Sequence, residues 1–214
     1  KQVGDYYNKI AAALNKRWHS SVSPDINLPF LARGSKEFGM YWNEMKYCID
    51  FALCNRKLMM ERIEEVIANS LKGIEFEPMI NIAHNYAAME HHFGKDVFVH
   101  RKGATLAREG VVGIIPGSQG TASYIVEGLG NPDSFCSCSH GAGRVLSRKA
   151  AIRTLNMETE VRNLESKGII HAIRCQDDMQ EASGAYKDID TVINNESDLV
   201  KVKTKLLPIA VIKG

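Results

Sequence analysis

Apolar residues recur at helical spacing from the start of the chain, where Val3, Tyr6 or Tyr7, Ile10 and Leu14 share one face of a 3.6-residue repeat. SSVSPDINLPFLARGS (20–35) is punctuated by proline and glycine and reads as a loop. KEFGMYWNEMKYCIDFALCNRKLMMERIEEVIANSL (36–71) holds no proline and many helix formers, which predicts one long helix or two with a break. Its Met, Phe, Trp and Leu positions read as packing surface. The texture changes near residue 75. DVFVHRKG (96–103), GVVGIIPG (110–117) and ASYIVEGLG (122–130) are short β-like runs ending in glycine turns. SRKAAIRTLNMETEVRNLESKG (147–168) returns to a helical pattern, IIHAIRC (169–175) reads as a strand, and DIDTVINNES (188–197) as a helix. LVKVKTKLLPIAVIKG (199–214) reads as one or two strands, and the apolar, β-branched LLPIAVI within it predicts a buried final strand. Internal repeats are not evident. The pattern predicts an α+β chain: a helical lobe at 1–75, then a mixed, glycine-punctuated sheet region at 76–214.

Composition narrows the function classes. The 214 residues allow one large domain or two small ones, and 44% hydrophobic with 24% charged residues is an ordinary core-forming balance. A net charge of +2 does not argue for nucleic acid by itself, so any basic surface must come from local clustering. The cysteines are Cys48, Cys54, Cys136, Cys138 and Cys175, an odd number without regular spacing. That pattern points away from a secreted disulfide framework and toward a reducing cytoplasm. No apolar run reaches membrane-spanning length and no signal peptide is visible. The chain opens inside a helical pattern without an initiator methionine, which reads as a fragment or a processed product.

Four short stretches are candidates for chemistry. In AHNYAAMEHHFG, His84 precedes His91 by seven residues, so on a helix the two would share a face and converge on a metal. Tyr86 and Gly94 weaken the helix, and a single ligating His84 completed from elsewhere is the other reading. HRKGAT sets His100, Arg101 and Lys102 before a glycine turn, a cluster suited to phosphate. In IIPGSQGTAS, Pro116 and Gly117 make a turn, Ser118 and Gln119 offer donors, and Gly120 relaxes the backbone, as an anion-binding nest would need. It is neither a Walker A motif nor GxGxxG. In SFCSCSHGAGRVLSR, an extended backbone would put Cys136, Cys138 and His140 on one face and invite zinc, although a lone C-x-C is weak support. His140 also stands beside Gly141, Ala142 and Gly143, with Arg144 and Arg148 following. Bare backbone lets a phosphorylated ligand approach, and a neutral imidazole can attack phosphorus to give a labile phosphoramidate.

HRKGAT, IIPGSQGTASYIV, SHGAGRVLSRKAA, AYKDID and the closing VIKG occur in this order in the RtcB-type RNA-splicing ligases. The chain resembles the C-terminal half of such an enzyme from NIAHNY to its last residue, and more loosely before that. The resemblance implies the family's own α+β fold, with glycine-rich nucleotide-binding loops and the helical lobe on the outside. It implies joining of RNA 2′,3′-cyclic phosphate or 3′-phosphate ends to 5′-hydroxyl ends, with GTP and two Mn²⁺ as cofactors. His140 would accept GMP, with Gly141, Ala142 and Gly143 admitting the α-phosphate and ribose. His84 would bind metal and Asn85 would lie at the nucleotide. Pro116, Gly117, Ser118 and Gln119 match the nucleotide loop, and Ser123 matches a guanine-nucleotide contact. Tyr186 would line the pocket, and Lys213 would contact guanine. The family's remaining metal ligands, an Asp, a Cys and two His, belong to N-terminal motifs (D-x-G-C-G, G-x-G-N-H-F, H-S-G-S-R-G) that do not occur here. The implied partners are therefore RNA ends and the missing N-terminal half of the same enzyme, with no membrane, and the chain alone is expected to be inactive. Two rival readings are a non-catalytic GMP- or RNA-binding fragment and a zinc protein using Cys136, Cys138 and His84.

Overall fold

The computed structural model describes residues 2–26 and 28–212. The chain divides into two compact units, Lys1–Glu77 and Pro78–Gly214.

The first unit is a helical pair, α1 (Gln2–Arg17) and α2 (Lys36–Ser70). Ser35 starts α2 by accepting a hydrogen bond from the Phe38 amide at 3.1 Å, an N-cap that satisfies one orphan donor of the first turn. No proline interrupts the following residues, and the helix runs unbroken for 35 residues. Tyr7 and Ala11 of α1 are buried, and the Tyr7 hydroxyl donates to Glu44 at 2.8 Å. Asn15 closes the loop by bonding both backbone groups of Phe30, at 2.7 and 2.9 Å. The packing surface expected along α2 is only partly realised. Met40, Tyr47, Phe51 and Leu58 are exposed, because α1 is less than half as long as α2 and cannot cover it.

The second unit holds strands β1 (Asn85–His92), β2 (Lys95–Lys102), β3 (Ala104–Leu106), β4 (Val112–Ile115), β5 (Ser123–Gly128) and β6 (Ser137–Ser139). Helices α3 (Arg148–Thr154) and α4 (Met157–Glu165) follow, then β7 (Ile170–His171), α5 (Ile189–Asn194), β8 (Val200–Leu206) and β9 (Ala210–Val211). β1 and β2 form an antiparallel hairpin closed by Phe93 and Gly94, both at positive φ, the geometry that matches strand twist in a two-residue turn. β3 pairs with β6, and β4, β5 and β8 form an antiparallel sheet in the order β4-β5-β8. β5 alternates as a half-buried strand must: Tyr124 and Val126 face a core shared with Ile115, Ile189 and Val200. Cys138 and Ala142 belong to the same core, which fixes both ends of the segment carrying His140.

Helices and strands together make the α+β composition expected from the pattern. Two local expectations are corrected. The helical stretch 147–168 breaks at Leu155 and Asn156, because the Asn156 side chain accepts from the Thr159 amide at 2.9 Å and caps a new helix. The apolar tail is not a buried strand. Pro208 interrupts it, β9 pairs only with β7, and Ile209 and Ile212 are 81% and 90% exposed. Lys213 lies outside the described residues. Among the described residues no helix is long and apolar enough to cross a membrane.

Ile115 is fully buried at the centre of the β4-β5-β8 core. Ile115→Ala should lower unfolding free energy by roughly 2–5 kcal/mol in a denaturant titration, from lost burial plus the cavity left behind.

Candidate functional site

Three segments of the second unit meet around one imidazole. His84 precedes β1, Pro116–Ala122 connects β4 to β5, and His140–Arg144 follows β6. The His84 and His140 rings lie nearly parallel, 20° between planes and 5.5 Å between centroids. The Ala142 amide donates to the Pro116 carbonyl at 2.9 Å, and the Lys187 amide donates to the Gly143 carbonyl at 2.9 Å. Gly141 and Ala142 are buried in this arrangement. Gly103, at φ +77°, brings bare backbone against the imidazole: a Cβ there would sit 3.7 Å from His140 Cε1. His140 Nδ1 is buried and has no hydrogen-bond partner among the described residues. Such orphans are rare in native interiors and mark a group whose partner is not the protein's own side chains.

The 116–122 connection is tight rather than open. A Cβ on Gly117 would fall 2.1 Å from the Ala122 carbonyl oxygen, so only glycine fits. The Gly117 amide donates to Ser123 Oγ at 3.3 Å, the Ser118 amide to Thr121 Oγ1 at 2.7 Å, and the Gly120 amide to Ser183 Oγ at 3.0 Å. Lys167 Nζ donates to the Gly120 carbonyl at 2.7 Å. These hydroxyls occupy the N–H groups that an open anion nest would present, which corrects the nest reading. The loop instead walls a cavity of about 350 Å³, together with Tyr186, Glu181, the Leu206–Pro208 turn and Val211. Gly117, Ser118, Gln119, Ser123 and Tyr186 therefore share one cavity. A second cavity, about 370 Å³, shares Gln119, Glu181 and Val211 with the first and is bordered by Arg148. Volumes in this range suit a small-molecule ligand.

Glu181, which the sequence did not single out, is the hub of this wall. It accepts hydrogen bonds from the Tyr186 hydroxyl and from Arg148 Nε, the latter at 3.2 Å, and its carboxylate is 3.5 Å from Arg144. Arg144 donates to the Tyr186 hydroxyl at 3.1 Å and lies 4.9 Å from the centre of its ring. Burial, and then the bond to Glu181, pushes the Tyr186 phenol above its ordinary pKa, so it remains a donor. The only sequence cue to Glu181 was its place five residues before Tyr186.

Three sequence readings change. Residues 85–92 are a strand, so positions seven apart point to opposite faces, and His91 pairs with Asp96 at 2.8 Å instead of joining His84. Cys136 has φ +50°, so the C-x-C segment is not extended. Cys138 is buried against Thr105, 3.3 Å from its hydroxyl, and burial pushes its thiol pKa up, away from the thiolate that zinc needs. Among the described residues no cluster of three or more His, Cys, Asp or Glu could hold a metal, so within this chain His84 is a single candidate ligand. Asn85 is exposed at the start of β1, paired in register with Lys102. Finally, Arg101 of HRKGAT is not a phosphate ligand. It is 2% exposed and bound to Glu90, while His100 and Lys102 on either side are exposed.

Comparison with known proteins gives a consistent outcome. Residues 1–214 match the family described as tRNA-splicing ligase RtcB. The chain is 40% identical to the RNA-splicing ligase RtcB of Escherichia coli K12, over 99% of this chain and 52% of that protein. It is 35% identical to the tRNA-splicing ligase RtcB of Thermococcus kodakarensis, over 100% of this chain and 49% of that protein. It is 34% identical to the RNA-splicing ligase RtcB of Mycobacterium bovis, over 98% and 52% respectively. The chain spans about half the length of these relatives.

Glu90 gives the local electrostatics a measurable signature. Burial alone would raise its carboxyl, but hydrogen bonds from Arg101 and His92 outweigh it and hold the pKa at about 2, below the ordinary 4.5. A depressed carboxyl contributes stability that is complete above its unfolded pKa and lost as pH falls through the folded one. Glu90→Gln should therefore cost about 3–5 kcal/mol at neutral pH, since it leaves Arg101 buried without its counter-charge. It should also flatten the acid limb of stability between pH 4.5 and 2. Urea melts across pH check both, and a variant as acid-sensitive as the parent contradicts the assignment.

Proposed function

Because the chain belongs to the RtcB family of tRNA-splicing ligases, we propose that it carries the nucleotide-accepting part of a GTP-dependent RNA ligase, with His140 as the residue that takes GMP. The observation that carries this reading is the setting of His140. Its ring nitrogen is unpartnered, its face meets His84 and the bare backbone of Gly103, and the following Ala142 is bonded to the loop that walls the 350 Å³ cavity.

The chemistry follows from an imidazole nucleophile. A ring nitrogen of His140 forms a P–N bond to the α-phosphorus of GTP as the P–O bond to the β-phosphate breaks and pyrophosphate leaves. An oxygen of an RNA 3′-phosphate then takes the GMP, and the P–N bond breaks. A 5′-hydroxyl attacks the activated 3′-phosphate, a phosphodiester forms, and GMP departs. A 2′,3′-cyclic phosphate end enters after water adds to its phosphorus, the P–O2′ bond breaks, and a 3′-phosphate with a free 2′-hydroxyl results. In this scheme the cavity holds the nucleotide: Ser118, Gln119, Ser123 and Tyr186 line it, Asn85 adjoins His84, Arg148 is exposed and held toward phosphate by Glu181, and Arg144, whose nitrogens bond Leu146, Tyr186 and Gln180, fixes the wall. We assign Lys213 to the guanine edge, whose O6 and N7 both accept hydrogen bonds from an ammonium. Manganese would polarise phosphate oxygens in such a reaction. The described residues do not fit a complete site for it: His84 would supply one imidazole ligand, and no step here is routed through the metal.

Incubating the native protein with labelled GTP and Mn²⁺ should leave acid-labile label on the wild type and none on His140→Ala. Undiminished label on the variant rejects His140 as the acceptor. Calorimetry on the 214-residue chain alone should show no tight Mn²⁺ binding, since a lone imidazole is a weak ligand set for this ion. A tight two-metal isotherm would mean that ligands within this chain complete the site.

A further inference from the structure

We propose that Arg101, locked by Glu90, is the positioning residue that sets His140 against His84. The proposal rests on His140 being the nucleotide acceptor. An arginine carries five N–H donors in a rigid planar fork, and here all five have acceptors inside the protein. Nε donates to Ser137 Oγ at 3.0 Å. One terminal nitrogen donates to the Tyr86 hydroxyl at 3.2 Å and to Glu90 Oε1. The other donates to Glu90 Oε2 at 3.0 Å and to the Phe135 carbonyl at 2.8 Å.

Those acceptors lie on two separate stretches of chain, each leading to one imidazole. Tyr86 and Glu90 belong to β1, which starts next to His84. Phe135 and Ser137 begin the segment that passes through β6 to His140. Gly103, two residues beyond Arg101, faces the His140 ring across the space a Cβ would take, 3.7 Å from Cε1. One guanidinium therefore ties together the two stretches that lead to the stacked rings. The turn that Arg101 joins has local bonds of its own, the Phe135 amide to the Pro132 carbonyl and the Cys136 amide to the Asn131 carbonyl, both at 2.9 Å, and Arg101 ties it to β1. Phe135 and Cys136 are consecutive non-glycine residues at φ +53° and +50°, and backbone of this kind is retained where surrounding contacts over-determine it. The Phe135 carbonyl is one of those contacts.

The clamp also stands apart from the apolar core. No residue of β1 or β2 belongs to the cluster built on Ile115, Tyr124, Val126 and Ile189. Loosening the clamp should therefore lower stability, as Glu90→Gln should, and shift the rings while leaving the β4-β5-β8 core and the cavity walls in place. Glu90 remains ionised throughout the working pH range, as its pKa of about 2 requires, so the lock does not titrate.

Arg101→Lys keeps the charge but cannot present the fork. In the native protein, the rate of His140 labelling from GTP should fall roughly 10²-fold, the scale expected when a reacting group is misplaced by about an ångström. Equilibrium affinity for GTP, read separately, should stay within about twofold, because the cavity walls are untouched. The imidazole NMR signals of His140 and His84 should both shift. Tyr86→Phe removes one hydrogen bond and keeps the ring, so it decides the matter if Arg101→Lys does not fold; it should give a smaller loss of rate and shift the same signals. Unchanged labelling with unchanged imidazole signals overturns the proposal. So does a parallel fall in GTP affinity, labelling and melting temperature, which would make Arg101 a general stabiliser. If the wild type itself takes no label, the ligase reading fails, and the imidazole signals alone then decide whether Arg101 positions the ring.

Discussion

A buried guanidinium must satisfy every one of its donors or destabilise the fold, and that requirement organises the approach to His140 in the second unit. Arg101 meets it by drawing β1 and the approach to β6 onto one carboxylate, one phenol, one hydroxyl and one carbonyl. The pairing with Glu90 offsets the cost of taking a charge out of water only because the geometry is complete. The two stretches that Arg101 joins lead to His84 and to His140. The His140 ring lies against His84, its neighbour Gly103 presents no side chain, and its Nδ1 has no protein partner among the described residues.

A second constraint acts on the other side of the imidazole. The Pro116 carbonyl, bonded to the Ala142 amide, joins the loop after β4 to the loop after β6. Gly117 admits no Cβ, and the loop amides are taken by Ser123, Thr121 and Ser183. The loop is thus held by hydroxyls from Thr121 within it, Ser123 of β5 and the distant Ser183, and it walls the cavity. Glu181 and Tyr186 line the cavity from another segment, and Glu181 ties Tyr186 to Arg148 at the neighbouring cavity. The loop that walls the cavity is bonded to the segment carrying His140, whose Nδ1 has no partner among the described residues, and the proposed covalent capture of a nucleotide would use that connection to orient the ligand before the bond forms.

Much of this was legible in the residues, for identifiable reasons. Alternation marked β5, helix formers without proline marked α2, and the small residues around His140 marked a close backbone approach. The order of HRKGAT, IIPGSQGTASYIV and SHGAGR carried the family. What was not legible depended on partners distant in sequence. Arg101 read as a phosphate ligand because its neighbours His100 and Lys102 are exposed cations, and nothing local announced Glu90 eleven residues earlier. Glu181 was invisible for the same reason. His84 and His91 read as a helical pair because period 3.6 and period 2 are hard to separate in a short polar stretch such as HNYAAMEHH. The tail LLPIAVI read as buried because composition reports apolarity but not whether a neighbouring strand is there to cover it.

The central claim is that the cavity beside Ser118 and Tyr186 holds the nucleotide base while His140 faces its α-phosphorus. A crystal structure of the native protein with bound GTP tests this most directly. Guanine between the 117–119 loop and Tyr186, with the α-phosphorus about 3–3.5 Å from a His140 ring nitrogen, is the predicted result. Guanine bound elsewhere, or an α-phosphate turned away from His140, would contradict the account.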